Sequence, residues 1–289
     1  MENKVNLKVV AAVIIVLKLS VLGFLIWSVL HTPDPSLKTL ALDKNFITFI
    51  VAGFVAQIID GALGMAYGVS CSSLLLGFGL PPAVVSASVH TAEVFTTGVS
   101  GLSHIAMRNI NKKLFVKLFF TGIIGSFLGA VILSNYVDGK VIKPYVSAYL
   151  LILGVVLLVK SFRTIVPKEN ALKYAPVLGF FGSFLDAIGG GGWGPIVTSN
   201  LISKTDSPRE TIGTVNTVEF FVTFISTGVF LFFVGIESWK PILGLIIGGV
   251  VAAPIGAYII KFFKPTTLLR MVGVLIIITS IYNIYKSFS

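Results

Sequence analysis

Charge is scarce in this chain. Only 12% of its 289 residues are Asp, Glu, Lys or Arg, about half the share usual in a soluble domain. With 55% hydrophobic residues and a mean hydropathy of +0.95, that scarcity excludes an ordinary soluble globule and points to an all-α polytopic membrane protein. Cysteine is nearly absent: Cys71 alone supports neither an internal disulfide nor a multi-cysteine metal site. Three histidines supply a zinc site poorly, so no metal and no other cofactor is expected. The 12 acids are outnumbered by 22 Lys and Arg. In a membrane chain that excess belongs to cytoplasmic loops, and no nucleic-acid partner is expected.

What remains is hydrocarbon punctuated by glycine and a few placed polar groups. The length holds roughly nine to eleven spans of about 20 residues. Residues 5–30 read as a retained helix, because the apolar part is too long for a signal peptide and no small-x-small cleavage site follows. Lys18 in it snorkels or faces protein. A polar linker from His31 to Lys44, with Pro33 and Pro35, ends this segment. The domains expected are therefore an N-terminal helix over 1–35 and two repeats over 44–160 and 173–287.

The repeats emerge on a shift of 126 residues. Gly53 falls on Gly179, Asp60 on Asp186, Gly64 on Gly190 and Gly68 on Gly194; without a gap, Pro82 meets Pro208, Thr91 meets Thr217, Glu93 meets Glu219 and Thr97 meets Thr223. Each unit reads alike. An apolar segment (46–60; 174–188) leads into a glycine-rich break, then a short segment (69–78; 195–203), a Pro turn and a longer polar helix (83–105; 209–234). Two ordinary spans complete it (114–134 and 144–159; 241–260 and 267–285). A helix does not run comfortably through Asp186-Ala-Ile-Gly-Gly-Gly-Gly-Trp-Gly-Pro195, since Gly costs about 1 kcal/mol per helical position and Pro lacks the amide donor. Each break therefore reads as a re-entrant or broken hairpin beside three spans, with two thin full spans as the other option.

Loop charges orient the units. With the N-terminus cytoplasmic, fifteen Lys and Arg lie on the inside and six on the outside. The basic loop at 108–117 is then internal, whereas its counterpart at 235–240 is external and carries one Lys. Two inverted repeats and an external C-terminus are expected.

Interrupted helices in inverted repeats place transport sites near the midplane. Their N-termini offer amides and a dipole to an anion. Substrate-contact candidates are Gly64, Tyr67, Gly68, Cys71 and Ser72 at the first break, and Gly190, Gly191, Gly192, Trp193, Gly194, Thr198 and Ser199 at the second. Ser86, His90, Glu93, Thr97 and Gly101 recur every three or four residues, as do Asn216, Glu219 and Thr223, so each set shares one helix face. Such stripes face protein or water, because charge in hydrocarbon is costly. His90 and Asn216 join the substrate candidates; Glu93 and Glu219 could carry a coupling proton. Asp60 and Asp186 are expected to cap the broken backbone. Gly125/Gly129 and Gly244/Gly248 read as helix-packing pairs.

In these residues the chain resembles the TauE/SafE family of sulfite exporters, also called the four-toluene-sulfonate uptake permease family. The likeness rests on Asp60-Gly-Ala-Leu-Gly-Met-Ala-Tyr-Gly68, His90-Thr-Ala-Glu-Val-Phe-Thr-Thr-Gly98 with Gly101-Leu-Ser-His104, and Asp186 to Pro195. It spans roughly residues 45–285. The resemblance implies a transporter of small sulfur-containing or organic anions in the cytoplasmic membrane, driven by protons, with lipid as its other partner, and it leaves substrate and direction open. A cation transporter is the nearest rival; an intramembrane enzyme or assembly factor is weaker, because no catalytic Ser/His or paired-Asp spacing recurs, and the chain is read as no enzyme. Nothing in the residues specifies an oligomeric state.

Overall fold

The computed structural model describes residues 5–31, 44–63, 65–162, 171–202, 207–235, 239–259 and 265–288, and these are helical with no strand among them. Most of the linker expected over 31–44, and the candidate Gly64, lie outside the described residues. α1 (Leu7–His31) is followed by α2 (Lys44–Leu63), α3 (Tyr67–Gly77), α4 (Pro82–Ala106), α5 (Lys112–Asn135) and α6 (Gly139–Lys160). Then come α7 (Ala171–Gly189), a π-helical turn (Trp193–Thr198), α8 (Ser199–Ile202), α9 (Pro208–Phe233), α10 (Trp239–Ile259) and α11 (Pro265–Phe288).

Local chemistry sets several boundaries. Pro82 and Pro208 open α4 and α9, where a missing amide costs nothing and the ring presets φ. Asn111 caps α5 by accepting from Leu114 N–H at 3.0 Å. Asp138 caps α6 by accepting from Lys140 N–H at 2.7 Å. That cap starts α6 five residues before the expected Pro144, which sits inside the helix. Pro195 likewise falls inside the π turn, which opens at Trp193.

Length sorts the helices. α1, α5, α6, α9 and α11 are long and apolar enough to cross a bilayer. α4 has spanning length, 25 residues, but carries the polar stripe on a buried face. α3, at 11 residues, rises only about 16 Å, roughly half of a hydrocarbon core.

The packing is reciprocal. α2 lies along α10, and α7 lies along α5; α4 meets α9, and α6 meets α11. Close approach in the first two pairs needs glycine. A Cβ on Gly129 would sit 2.5 Å from the Phe184 carbonyl oxygen in α7, and one on Gly244 would sit 2.5 Å from Phe49 Cβ in α2. α1 packs on α4. There the Lys18 stem lies against Gly98, and its ammonium sits 5.8 Å from the Phe95 ring centroid, so Lys18 faces protein.

Gly129→Ala should therefore destabilise the solubilised protein by about 1–3 kcal/mol through overpacking. Gly23→Ala, with nothing within 4 Å of the added carbon, should leave the thermal midpoint unchanged or raise it. Equal midpoints for the two variants in thermal unfolding would refute the packing account.

Candidate functional site

Both breaks are closed by the same device. Asp60 Oδ1 accepts the Tyr67 N–H at 3.2 Å, and Asp186 Oδ1 accepts the Trp193 N–H at 3.0 Å. Each amide opens a new helical segment, where the first N–H groups have no intrahelical partner. A carboxylate there satisfies the donor and complements the helix dipole. The approaches to these segments use the left-handed backbone region, at Ala66 (φ 106°) and Gly190 (φ 65°).

The two breaks touch through their backbones. A Cβ on Gly191 would overlap Val69 N and the Gly68 carbonyl carbon. The Cβ position of Gly68 lies 2.9 Å from Gly191 Cα and 3.0 Å from Glu93 Oε1, and that of Gly194 lies 2.8 Å from Met65 Cβ. Ser72 Oγ donates to the Gly190 carbonyl, tying α3 to the second break. Glycine at these positions thus serves close approach of backbone to backbone.

The polar faces of α4 and α9 meet beside this contact, with Gly101 against Thr217 and Gly213 against His104. Ser86, His90, Glu93 and Thr97 are buried. Thr97 Oγ1 donates to the Glu93 carbonyl at 2.6 Å, and Asn216 Nδ2 donates to Ser100 Oγ at 3.1 Å. Glu93 lies within electrostatic reach of Asp186, Glu219 and Asp60, and Glu219 within reach of Asp60 and Asp186. Asp186 and Glu93 are 2% and 4% exposed, while Asp60 and Glu219 keep part of their surface.

His90 joins the set across 96 residues of chain. Its Nδ1 bonds the Ser86 carbonyl at 2.8 Å, and its Nε2 lies 3.2 Å from Asp186 Oδ2. The ring also packs on Phe230 of α9, 5.9 Å between centroids. Donor atoms of His90, Glu93 and Asp186 lie within 4.8 Å of one another, which makes them the one grouping of metal-type donors among the described residues. His90 and Asp186 bond each other, and the Glu93 carboxylate lies beside them.

The other candidates fall around this centre. Tyr67 and Trp193 are buried, with Tyr67 Oη donating to the Leu245 carbonyl at 3.4 Å and Trp193 Nε1 to the Val215 carbonyl at 3.3 Å. Their rings are anchored to α10 and α9. Cys71 and Thr198 are buried in the short segments. Ser199 Oγ donates to the Pro195 carbonyl and accepts from Lys160 Nζ at 2.6 Å.

Two contributors carry no sequence signal. Lys160 is the last residue of α6 and also reaches the Pro195 carbonyl at 3.3 Å. Tyr149 stands at the second break: its ring meets the Cβ position of Gly189, and its hydroxyl that of Gly192. Neither residue belongs to a motif, and only the fold brings them in.

Comparison with known proteins places this geometry. The family model described as Sulfite exporter TauE/SafE matches residues 49–283. The chain is similar to the "Probable membrane transporter protein YtnM" of Bacillus subtilis (strain 168), with 44% identity over 246 residues, 82% of each chain. No solved structure matches.

Replacing Asp186 by Ala leaves the Trp193 amide buried without a partner, which costs about 1–3 kcal/mol; Asn keeps an accepting oxygen in place. Thermal unfolding should rank wild type and Asp186→Asn close together and Asp186→Ala well below. A ranking with Asn as damaging as Ala would remove the capping role.

Proposed function

We propose that this chain, which belongs to the sulfite exporter TauE/SafE family, moves a small sulfur-containing or organic anion across the cytoplasmic membrane, coupled to protons, by alternating access. Membrane transport itself is the common property of the family and of the similar Bacillus protein. The observation that carries the finer reading is the backbone contact of the two Asp-capped breaks beside Glu93. Two short helical segments start at one place, each with its amide end toward the other's break. That is the arrangement by which backbone dipoles and hydroxyls accommodate an oxyanion without a buried Arg.

The repeats are read as inverted, with a cytoplasmic N-terminus and an external C-terminus, which the loop charges favour. Rocking of one repeat against the other would then expose the paired breaks to each side in turn. Sulfite, thiosulfate and sulfonates fit the site as a class. An anion arriving beside ionised Glu93 and Glu219 is repelled; a proton on either removes the repulsion, so proton and anion travel together.

A second reading has its own support. Among the described residues no Lys or Arg lies within ion-pair distance of Asp60, Glu93, Asp186 or Glu219, and four acids unpaired with Lys or Arg suit a Na⁺ or H⁺ carrier. Proteoliposomes separate the two. Saturable flux of labelled sulfite, thiosulfate or a sulfonate that responds to a pH gradient is expected for the anion carrier, and Na⁺-driven proton movement without anion flux for its rival. Glu93→Gln and Glu219→Gln should flatten the pH dependence of anion flux. Unchanged pH dependence in both variants would end the coupling role.

A further inference from the structure

The contact between His90 and Asp186 contains a constraint that the paired glutamates do not. A backbone carbonyl can only accept, so the 2.8 Å contact to the Ser86 carbonyl puts a hydrogen on His90 Nδ1. In a neutral ring Nε2 is then an acceptor. It faces Asp186 Oδ2 at 3.2 Å, and a carboxylate oxygen is also an acceptor. Two lone pairs do not hold each other at that distance inside a site where His90 is fully buried and Asp186 is 2% exposed. Something positive lies on the axis.

We propose that His90 and Asp186 hold one shared proton, and that this proton fastens α4 to the second break. With it the pair is neutral overall, as imidazolium and carboxylate or as imidazole and carboxylic acid. Release leaves two lone pairs opposed, and the link opens while Asp186 Oδ1 still caps Trp193. Its place in coupling rests on the transport reading; its existence does not.

The surroundings make the pair particular to one half of the molecule. At the position 126 residues on, His90 is replaced by Asn216, which donates instead to Ser100. The titratable groups facing the pair are Glu93 on α4 itself, Glu219 from α9 and Tyr149 from α6. Asp60 from α2 faces Glu93 and Glu219, and Tyr67 and Cys71 of α3 face Glu93. Lys18 of α1 sits over Phe95 of α4, and Lys160 of α6 reaches the Pro195 carbonyl past the second break. With Glu93 beside it, a proton on the His90–Asp186 axis also lowers the negative charge that an entering anion meets.

Nitrogen-15 histidine spectroscopy of the full chain in lipid vesicles tests this. There are three histidines, and His90→Asn, which installs the residue found at 216, assigns the signal by its loss. Wild type at neutral pH should show a hydrogen-bonded proton on the Nε2 side. Asp186→Asn accepts from Trp193 and donates its amide to Nε2, so it preserves the contact without an extra proton; the shared-proton signature should vanish. Anion flux by the same variant should lose the part of its pH dependence that persists in Glu93→Gln. A bare Nε2 in wild type, the same His90 spectrum in Asp186→Asn, or a stoichiometric divalent metal in the purified protein each overturns the proposal. Because the spectrum is read without transport, absence of anion flux would refute the transport reading and leave the proton assignment standing.

Discussion

An amide hydrogen left without a partner in hydrocarbon costs several kcal/mol, and this chain breaks two helices in surroundings where no lipid can supply one. The rest of the site follows from that constraint. Asp60 and Asp186 accept from the first amide past each break. Those two carboxylates are themselves costly to bury, so they lie within protein rather than against lipid. α4 and α9 supply that shelter, and the polar stripe they carry would be equally costly on a lipid-facing helix. The breaks, the acids and the two polar helices therefore require one another.

The packing ties each break to a helix on the other side of the 163–170 stretch in sequence. α2 ends at the first break and lies along α10; α7 ends at the second and lies along α5. Glycines let these pairs approach backbone to backbone, and the same property at Gly68, Gly191 and Gly194 lets the breaks meet. A shift of either pair of helices is thus felt at the centre, where backbone contact leaves little slack. Such tight centres switch between arrangements instead of deforming continuously.

Symmetry of the backbone does not extend to the chemistry. His90 bonds Asp186, but Asn216 bonds Ser100. Lys160 reaches the carbonyl and hydroxyl of the second short segment, while Lys286, 126 residues on, stacks over Tyr282. Asp186 is sealed where Asp60 is partly open. Positions related by the offset of 126 thus carry unlike side chains and make unlike contacts.

The sequence by itself determined the class and much of the plan. Scarce charge and long apolar runs dictated a helical membrane protein, because backbone in lipid must bond internally. Pro82 and Pro208 marked two helix starts, Gly-xxx-Gly marked two packing seams, and Asp60 and Asp186 stood seven residues before the amides they meet; each is a local rule read over a few residues. α6 starts at Gly139 rather than 144, because the Asp138 side chain caps it there and Pro144 is accommodated within the helix. Tertiary structure alone decided which groups from distant segments share the centre. The offset of 126 pairs each residue with its equivalent, whereas His90 bonds Asp186, a residue with a different equivalent. Lys160 and Tyr149 came in by the crossing of α6 over the second break. Spacing along a chain fixes which face a side chain takes, but which face it meets depends on how helices far apart in sequence pack.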